Sequence, residues 1–206
     1  MHDSGALSLS MPVATVLPPP VAAGTFLTGF DTRYADAIVG WVQSDLELLW
    51  LAPGTPPPLT AAKVLAWGKE RRRRILYWRS GNILPTGYAE LNEMPNATRQ
   101  MWIGHFLIEP TQRLRGVGTA FAQALVLRAF LDFGVEELLL VVFPENRKAI
   151  GCYERSGFEV LGKEKKHFES TGREHTFLRM GLTRRRFAKL VDKGVLPAQP
   201  LIYREP

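Results

Sequence analysis

The sequence predicts an α/β domain, and three features point that way. A strand-like run, Met101 to Ile108, leads through a glycine-rich turn into a long amphipathic helix, Gly116 to Leu131. The stretch Leu138-Leu139-Leu140-Val141-Val142 is almost unbroken apolar residue, as in a central strand covered on both faces. A helix from Asn146 to Ser156 follows, with Asn146 placed to cap it and Gly157 to supply the left-handed stop.

The other elements fall into place around these. Residues 1–23 are rich in Pro, Ala and Ser and lack any strand or helix period, so they read as a disordered leader. Thr25 to Phe30 forms a first strand. Ala35 to Val42 and Asp45 to Leu51 are short helices, with Ile38, Trp41 and Val42, then Leu46, Leu49 and Trp50, on their apolar sides. After the proline loop 53–58, Thr60 caps a helix through about Glu70. The run Arg71 to Arg74 reads as a solvated turn into a strand, Ile75 to Arg79. Thr86 to Met94 is a further strand. Phe158 to Phe168 and Arg173 to Leu182 make a final hairpin around Ser170-Thr171-Gly172. Residues 184–193 form a short basic helix, and Pro197 onward reads as a tail. The expected organisation is therefore a leader at 1–23, one domain at 24–182, and a basic helix and tail at 183–206. Both ends are expected to be dispensable for ligand binding.

Composition narrows the function. The chain has 206 residues, 46% hydrophobic and 22% charged, which suits one globular domain with a real core. No stretch has the 18 or more apolar residues a membrane span requires. The only cysteine, Cys152, can form no internal disulfide, so a cytoplasmic location is the expectation. Cys152 itself lies mid-helix beside Ile150 and reads as a small core residue, not a nucleophile. The net charge of +6 comes entirely from residues 111–206, which favours anion binding there. A nucleic-acid partner is disfavoured, because no helix-turn-helix, zinc-ligand or aromatic RNA-binding pattern occurs.

Two motifs carry chemistry. In Pro110-Thr111-Gln112-Arg113-Leu114-Arg115-Gly116-Val117-Gly118, small residues let the backbone turn tightly at a helix start. Several N–H groups can then face one point, where the helix dipole adds positive charge, which suits a pyrophosphate. The mononucleotide loop pattern is missing. The dinucleotide pattern fails at Phe121, where a third small residue should stand. The second motif is Asn146-Arg147-Lys148-Ala149-Ile150-Gly151-Cys152-Tyr153, followed by Gly157-Phe158. Asn146 and Tyr153 lie two helical turns apart, about 10 Å along the axis, and can line one cleft.

Together these motifs resemble the GNAT superfamily of N-acetyltransferases. Arg113, Gly116 and Gly118 match its Arg/Gln-x-x-Gly-x-Gly/Ala loop. Asn146, Ala149, Tyr153, Gly157 and Phe158 match its Asn-x-x-Ala-x-x-x-Tyr-x-x-x-Gly-Phe helix. The resemblance runs from about Thr25 to Leu182. It implies a mixed, mostly antiparallel sheet of six to seven strands flanked by helices, with 101–108 and 137–143 as parallel neighbours that splay apart. Acetyl-CoA is then the acyl donor and no metal is involved. The pantetheine would pair with backbone at Leu107 and Ile108, and Asn146 would touch it. The pyrophosphate would be held by Arg113, Leu114, Arg115, Gly116, Val117, Gly118 and Thr119.

The chemistry so implied is direct attack of an amine on the thioester, with Tyr153 protonating the leaving thiolate. Three sources of the general base stay open: Glu90, His105, whose ordinary pKa near 6.5 suits a base, and a water chain. Some relatives carry a glutamate early in the fourth strand, where this chain has Gln100, Met101 and Trp102. Trp50 is a candidate wall for the acceptor, and Glu90 and Glu93 would favour a cationic amine. The alternatives are a non-catalytic acyl-CoA-binding module and, less favoured, a nucleic-acid-binding protein using Arg71 to Arg74 and Arg184 to Arg186. A homodimer would be compatible with all of this.

Overall fold

The structure, a computed structural model, describes residues 24–67, 72–97, 99–169, 171–199 and 201–204. The expected leader at 1–23 lies outside the described residues, as do Arg71 and residues 68–70 of the expected third helix. Eight strands form one sheet: β1 (Thr25–Gly29), β2 (Arg72–Arg79), β3 (Gly87–Glu93), β4 (Gln100–Ile108), β5 (Glu137–Val142), β6 (Glu159–Phe168), β7 (Arg173–Thr183) and β8 (Ile202–Arg204). Their spatial order is β6-β7-β5-β4-β3-β2-β1-β8. Helices α1 (Ala35–Trp41), α2 (Asp45–Leu51), α3 (Ala61–Ala66), α4 (Val117–Leu127), α5 (Arg147–Arg155) and α6 (Arg184–Asp192) flank it. Among the described residues, no helix is long and apolar enough to cross a membrane.

Alternation along the strands assigns the two faces. Ala89, Leu91, Met101, Ile103, Leu138, Leu140 and Val142 turn to the side of α4 and α5, where they pack with Val117, Phe121, Leu125 and Tyr153. Leu76, Tyr88 and Leu107 turn to the other side, against Ile38, Trp41, Leu48, Val64 and Trp67 from α1–α3. The continuous apolar run of β5 is thus explained, since its alternate residues serve opposite faces.

Local signals set the helix starts. Ser44, Thr60, Asn146 and Thr183 each accept a backbone N–H with the side chain at a helix N-terminus. Gly157, at φ 99°, ends α5 in the left-handed region. After Leu127 the helix α4 widens into a π-helical segment, Arg128–Asp132.

Two expectations change. The arginine run is not a turn: Arg72, Arg73 and Arg74 belong to β2. Arg74 points inward, where its guanidinium stacks on Phe30 at 3.6 Å and donates to the Tyr88 hydroxyl and the Val64 carbonyl, each at 2.9 Å. Strand alternation, not solubility, disposes Arg73 and Arg74. The segment expected as a tail holds β8, which pairs parallel with β1 through Phe26–Ile202, Leu27–Tyr203 and Thr28–Arg204. The connection is anchored: Leu196 is buried, and Arg128 stacks on Tyr203 at 3.6 Å.

Helix α6 docks as firmly. Phe187 is 5% exposed and stacks on Phe130 with centroids 4.6 Å apart. Arg184 donates to the carbonyls of Phe130 and Val135, and Arg186 to that of Gly157. Phe187→Ala should therefore cost about 3–5 kcal/mol of unfolding free energy in urea denaturation, the range for a buried phenylalanine. A loss below about 1 kcal/mol would mean that α6 does not pack on the domain in solution.

Candidate active site

The parallel pair at the centre of the sheet is short. Strands β4 and β5 pair only through Gln100–Glu137, Met101–Leu138 and Trp102–Leu139. Beyond Trp102 the strands diverge, so residues 103–108 and 140–142 face each other across a wedge. Helix α4 starts at the wide end of that wedge.

The turn before α4 is built as an anion cradle. Leu114 (φ 59°) and Gly116 (φ 80°) both take left-handed backbone, which curls successive N–H groups to one side. Among the described residues, the N–H groups of Leu114 through Thr119 find no backbone acceptor. Helix geometry leaves the first-turn N–H groups unpaired in any case, and here none has a side-chain cap. Leu114 is 84% exposed, so the cradle is open to solvent. Arg115 is exposed and has no hydrogen-bond or ion-pair partner among the described residues. Gly118 lies where α4 meets α5, and a Cβ there would stand 3.4 Å from the Cys152 sulfur.

The guanidinium of Arg113 is used differently. It donates to the Ile108 carbonyl at 2.9 Å, to the Glu47 carboxylate at 2.8 Å and to the Trp41 carbonyl at 2.6 Å. It thereby ties the end of β4 to α1 and α2, and its side chain does not reach toward the cradle. The spacing of the loop motif does not distinguish these two uses of an arginine.

A bulge in β4 sets the next part of the site. The β3–β4 register slips between Tyr88–Leu107 and Glu90–Gly104, so His105 and Phe106 together oppose Ala89. His105 has φ 43°, an uncommon conformation for a residue other than glycine. The bulge reverses the alternation of β4 between Ile103 and Leu107, so His105 and Phe106 each take the face opposite to the one a regular strand would give them. Phe106 goes to the α4–α5 side, against Phe121 and Tyr153. His105 goes to the α1–α3 side, where the Trp67 indole stacks on it at 4.2 Å.

There His105 meets Glu90, the other candidate base. Its Nδ1 lies 2.9 Å from Glu90 Oε1, an ion-pair contact short of hydrogen-bond alignment. Glu90 is fully buried, and its carboxylate also accepts from the Tyr88 hydroxyl at 2.9 Å and from Asn92 at 3.4 Å. With the Arg74–Tyr88 bond, this gives a continuous line from Arg74 through Tyr88 and Glu90 to His105. The Tyr88 phenol is held well above the usual tyrosine range by burial first and by the adjacent carboxylate second. It therefore stays a donor at ordinary pH. The His105 side chain remains 17% exposed, while the carboxylate behind it is sealed.

Tyr153 stands on the opposite face. It is buried in α5 against Phe106 and Phe158, and burial raises its pKa above the usual tyrosine range. Its hydroxyl has no hydrogen-bond partner among the described residues, so a proton is available for an incoming group. Asn146 caps α5 by accepting from Ala149 N–H at 3.2 Å. Leu107 and Ile108 are paired with β3 only, through Tyr88 and Gly87. Cys152 is buried, with its thiol pushed up to about 11 by burial, as befits a core residue.

Trp67, not Trp50, stacks on the candidate base; Trp50 is half-buried in α2. Glu93 lies on the opposite face from Glu90 and pairs with Arg73 at 2.5 Å. Tyr88 and Arg74 were not legible as site residues, although Tyr88, Glu90 and Asn92 do share the alternation of one strand face. Among the described residues there is no cluster of three side chains that could hold a metal ion.

Comparisons with known proteins agree with this geometry. Solved acetyltransferase structures share the fold, among them the following two. One is a spermidine N-acetyltransferase from Vibrio cholerae in complex with CoA and spermine. It has a TM-score of 0.66 and 17% identity, over 81% of this chain and 99% of that one. The other is the aminoglycoside acetyltransferase AAC(6')-Ib with coenzyme A. It has a TM-score of 0.62 and 24% identity, over 80% of this chain and 98% of that one. Residues 33–158, well over half of the chain and spanning both motifs, match the model of the acetyltransferase (GNAT) family. The chain belongs to that family and is an acetyl-CoA-dependent N-acetyltransferase.

Proposed function

We propose that the protein acetylates a small primary amine, with His105 as general base, Glu90 orienting it and Tyr153 as general acid. The observation that carries this reading is the β4 bulge. It sets His105 on one face of the sheet and, through Phe106, packs Tyr153 on the other, beside the wedge between β4 and β5. Donor and acceptor can then approach from opposite faces and meet in that opening.

The donor side is served by α4 and α5. The pyrophosphate of acetyl-CoA lies on the N–H groups of Leu114 through Thr119, with Arg115 beside it. The pantetheine runs along β4 near Leu107 and Ile108 as an extra strand, with Asn146 at its flank. The acceptor arrives on the α1–α3 face. Its nitrogen attacks the thioester carbonyl carbon, and His105 takes the proton released from nitrogen. The tetrahedral intermediate collapses with cleavage of the carbon–sulfur bond, and Tyr153 protonates the departing sulfur. The products are an N-acetylated amine and free CoA. A phenol whose pKa is raised by burial stays protonated at ordinary pH and can therefore donate a hydrogen bond to the departing sulfur.

Glu90 supports the base by charge and position. The buried Glu90 carboxylate, 2.9 Å from Nδ1, orients the ring and leaves Nε2 for the amine. Stacking on Trp67 fixes the ring plane. The two structural relatives are a spermidine and an aminoglycoside acetyltransferase, which supports an amine acceptor in general terms. A cytoplasmic setting, with a supply of acetyl-CoA, fits the same reading.

Three outcomes test the assignment. His105→Asn keeps a residue that tolerates left-handed backbone, so it should fold, and it should lower kcat by about 10²–10⁴-fold with little change in KM for acetyl-CoA. Tyr153→Phe should lower kcat by a similar factor when chemistry limits the rate; an unchanged rate would remove the acid role. Gly116→Val puts a β-branched side chain at φ 80°, which should distort the cradle. It should weaken acetyl-CoA binding by about tenfold or more in calorimetry, as expected for a loss near 1.4 kcal/mol. Unchanged affinity would place the pyrophosphate elsewhere.

A further inference from the structure

The sheet face that carries His105 continues past α1–α3, where the β6–β7 hairpin roofs it. Lys166 of β6 stands over the Trp102 ring of β4 at 4.3 Å, although β7 and β5 separate those strands in the sheet. Strands are spaced about 4.8 Å apart, so a flat sheet would hold β6 and β4 roughly 14 Å apart. The hairpin therefore curls over the face. Beneath it lies a cavity of about 190 Å³ lined by Trp102, Leu139, Val141, Glu164, Lys166 and Arg179.

One wall of this cavity, Trp102, leads toward Glu90, the carboxylate beside His105. A Cβ on Gly104 would stand 3.1 Å from Trp102 Nε1 and 3.5 Å from Glu90 Oε2, so one end of the indole borders the Glu90 carboxylate. The Trp102 ring extends from there to Lys166. Arg179 is in register with Val141 of β5, in the stretch where β5 has left β4. It thus sits beside the opening where transfer takes place.

The charge of the cavity is unbalanced. Lys166 pairs with Glu164 at 3.0 Å. Arg179 is exposed and makes no ion pair or hydrogen bond among the described residues, which leaves one positive charge over. The acids that could have held a polycation are committed. Glu90 serves Tyr88, Asn92 and His105, and Glu93 is on the other face with Arg73.

We infer that this cavity is the acceptor subsite and that the acceptor is a small amino acid, its amine at His105 and its carboxylate on Arg179. The inference rests on the transfer reading above and names its substrate class. A guanidinium beside an apolar floor suits a carboxylate on a short carbon chain, which it can bind bidentately.

The test is calorimetry on the CoA-saturated protein, titrated with ω-amino acids of three to six carbons and with the matching ω-amino amides. Each pair shares its amine and chain and differs only in charge. At least one acid should bind about tenfold or more tightly than its amide, the effect of one charged hydrogen bond. Arg179→Gln should erase that difference while leaving the affinity for the amide and for CoA unchanged. Equal binding of acid and amide, binding of neither, or tighter binding of spermidine would overturn the subsite. Parallel assay of CoA release with the same ligands separates the two readings. An acid that binds through Arg179 but is never acetylated contradicts the transfer reading and leaves the subsite standing.

Discussion

Three residue pairs hold the two halves of this sheet together at its centre, and the divergence of β4 from β5 after Trp102–Leu139 governs everything around it. Parting two central strands exposes backbone polar groups that a continuous sheet would have paired. Such groups are costly to leave without partners. The opening persists because each half is secured independently. On one side, β4 is fixed by its ladder to β3 and by Arg113, which ties its end to α1 and α2. On the other, β5 is held by six pairs to β7. An extended ligand that carries amide groups would offer these edges the partners the sheet withholds, as an added strand does.

The bulge at His105 follows from the same arrangement. A regular β4 would alternate strictly, and His105 would point with Met101 and Ile103 toward α4 and α5. One extra residue reverses that phase, so the imidazole reaches Glu90 and Trp67 instead. The cost is a left-handed histidine. Strain of this kind persists only where surrounding contacts hold it, and it gathers at functional sites. Here the stacked indole and the buried carboxylate supply those contacts, and Arg74 and Tyr88 brace the carboxylate from behind.

Much of this was legible in the sequence. Gly116 and Asn146 announce their backbone roles because a left-handed turn and a helix cap restrict residue type. The apolar run of β5 announces a strand covered on both faces. Other features were hidden for physical reasons. A bulge leaves no mark on composition, so Glu90 and His105 read as rival bases when they form one unit. Arg74 read as part of a solvated run, because four successive arginines carry no mark of which one a strand turns inward. Trp50 and Trp67 cannot be ranked by pattern, since stacking on His105 depends on how α3 crosses the sheet. The strand at Ile202–Arg204 is three residues long and pairs with the first strand of the chain, a contact no local signal foretells.

The central claim is that acetyl-CoA occupies the wedge between β4 and β5 with its pyrophosphate on the start of α4. Amide hydrogen exchange, measured with and without saturating acetyl-CoA, tests this directly. Among the described residues, the N–H groups of 114–119 have no backbone acceptor, and β4 beyond Trp102 has no strand partner on the β5 side. Bound ligand should slow exchange in peptides covering 103–119 and 140–146 and leave the β1–β2 and β8 peptides unchanged. Exchange in 103–119 that does not respond to a ligand shown to bind would contradict it.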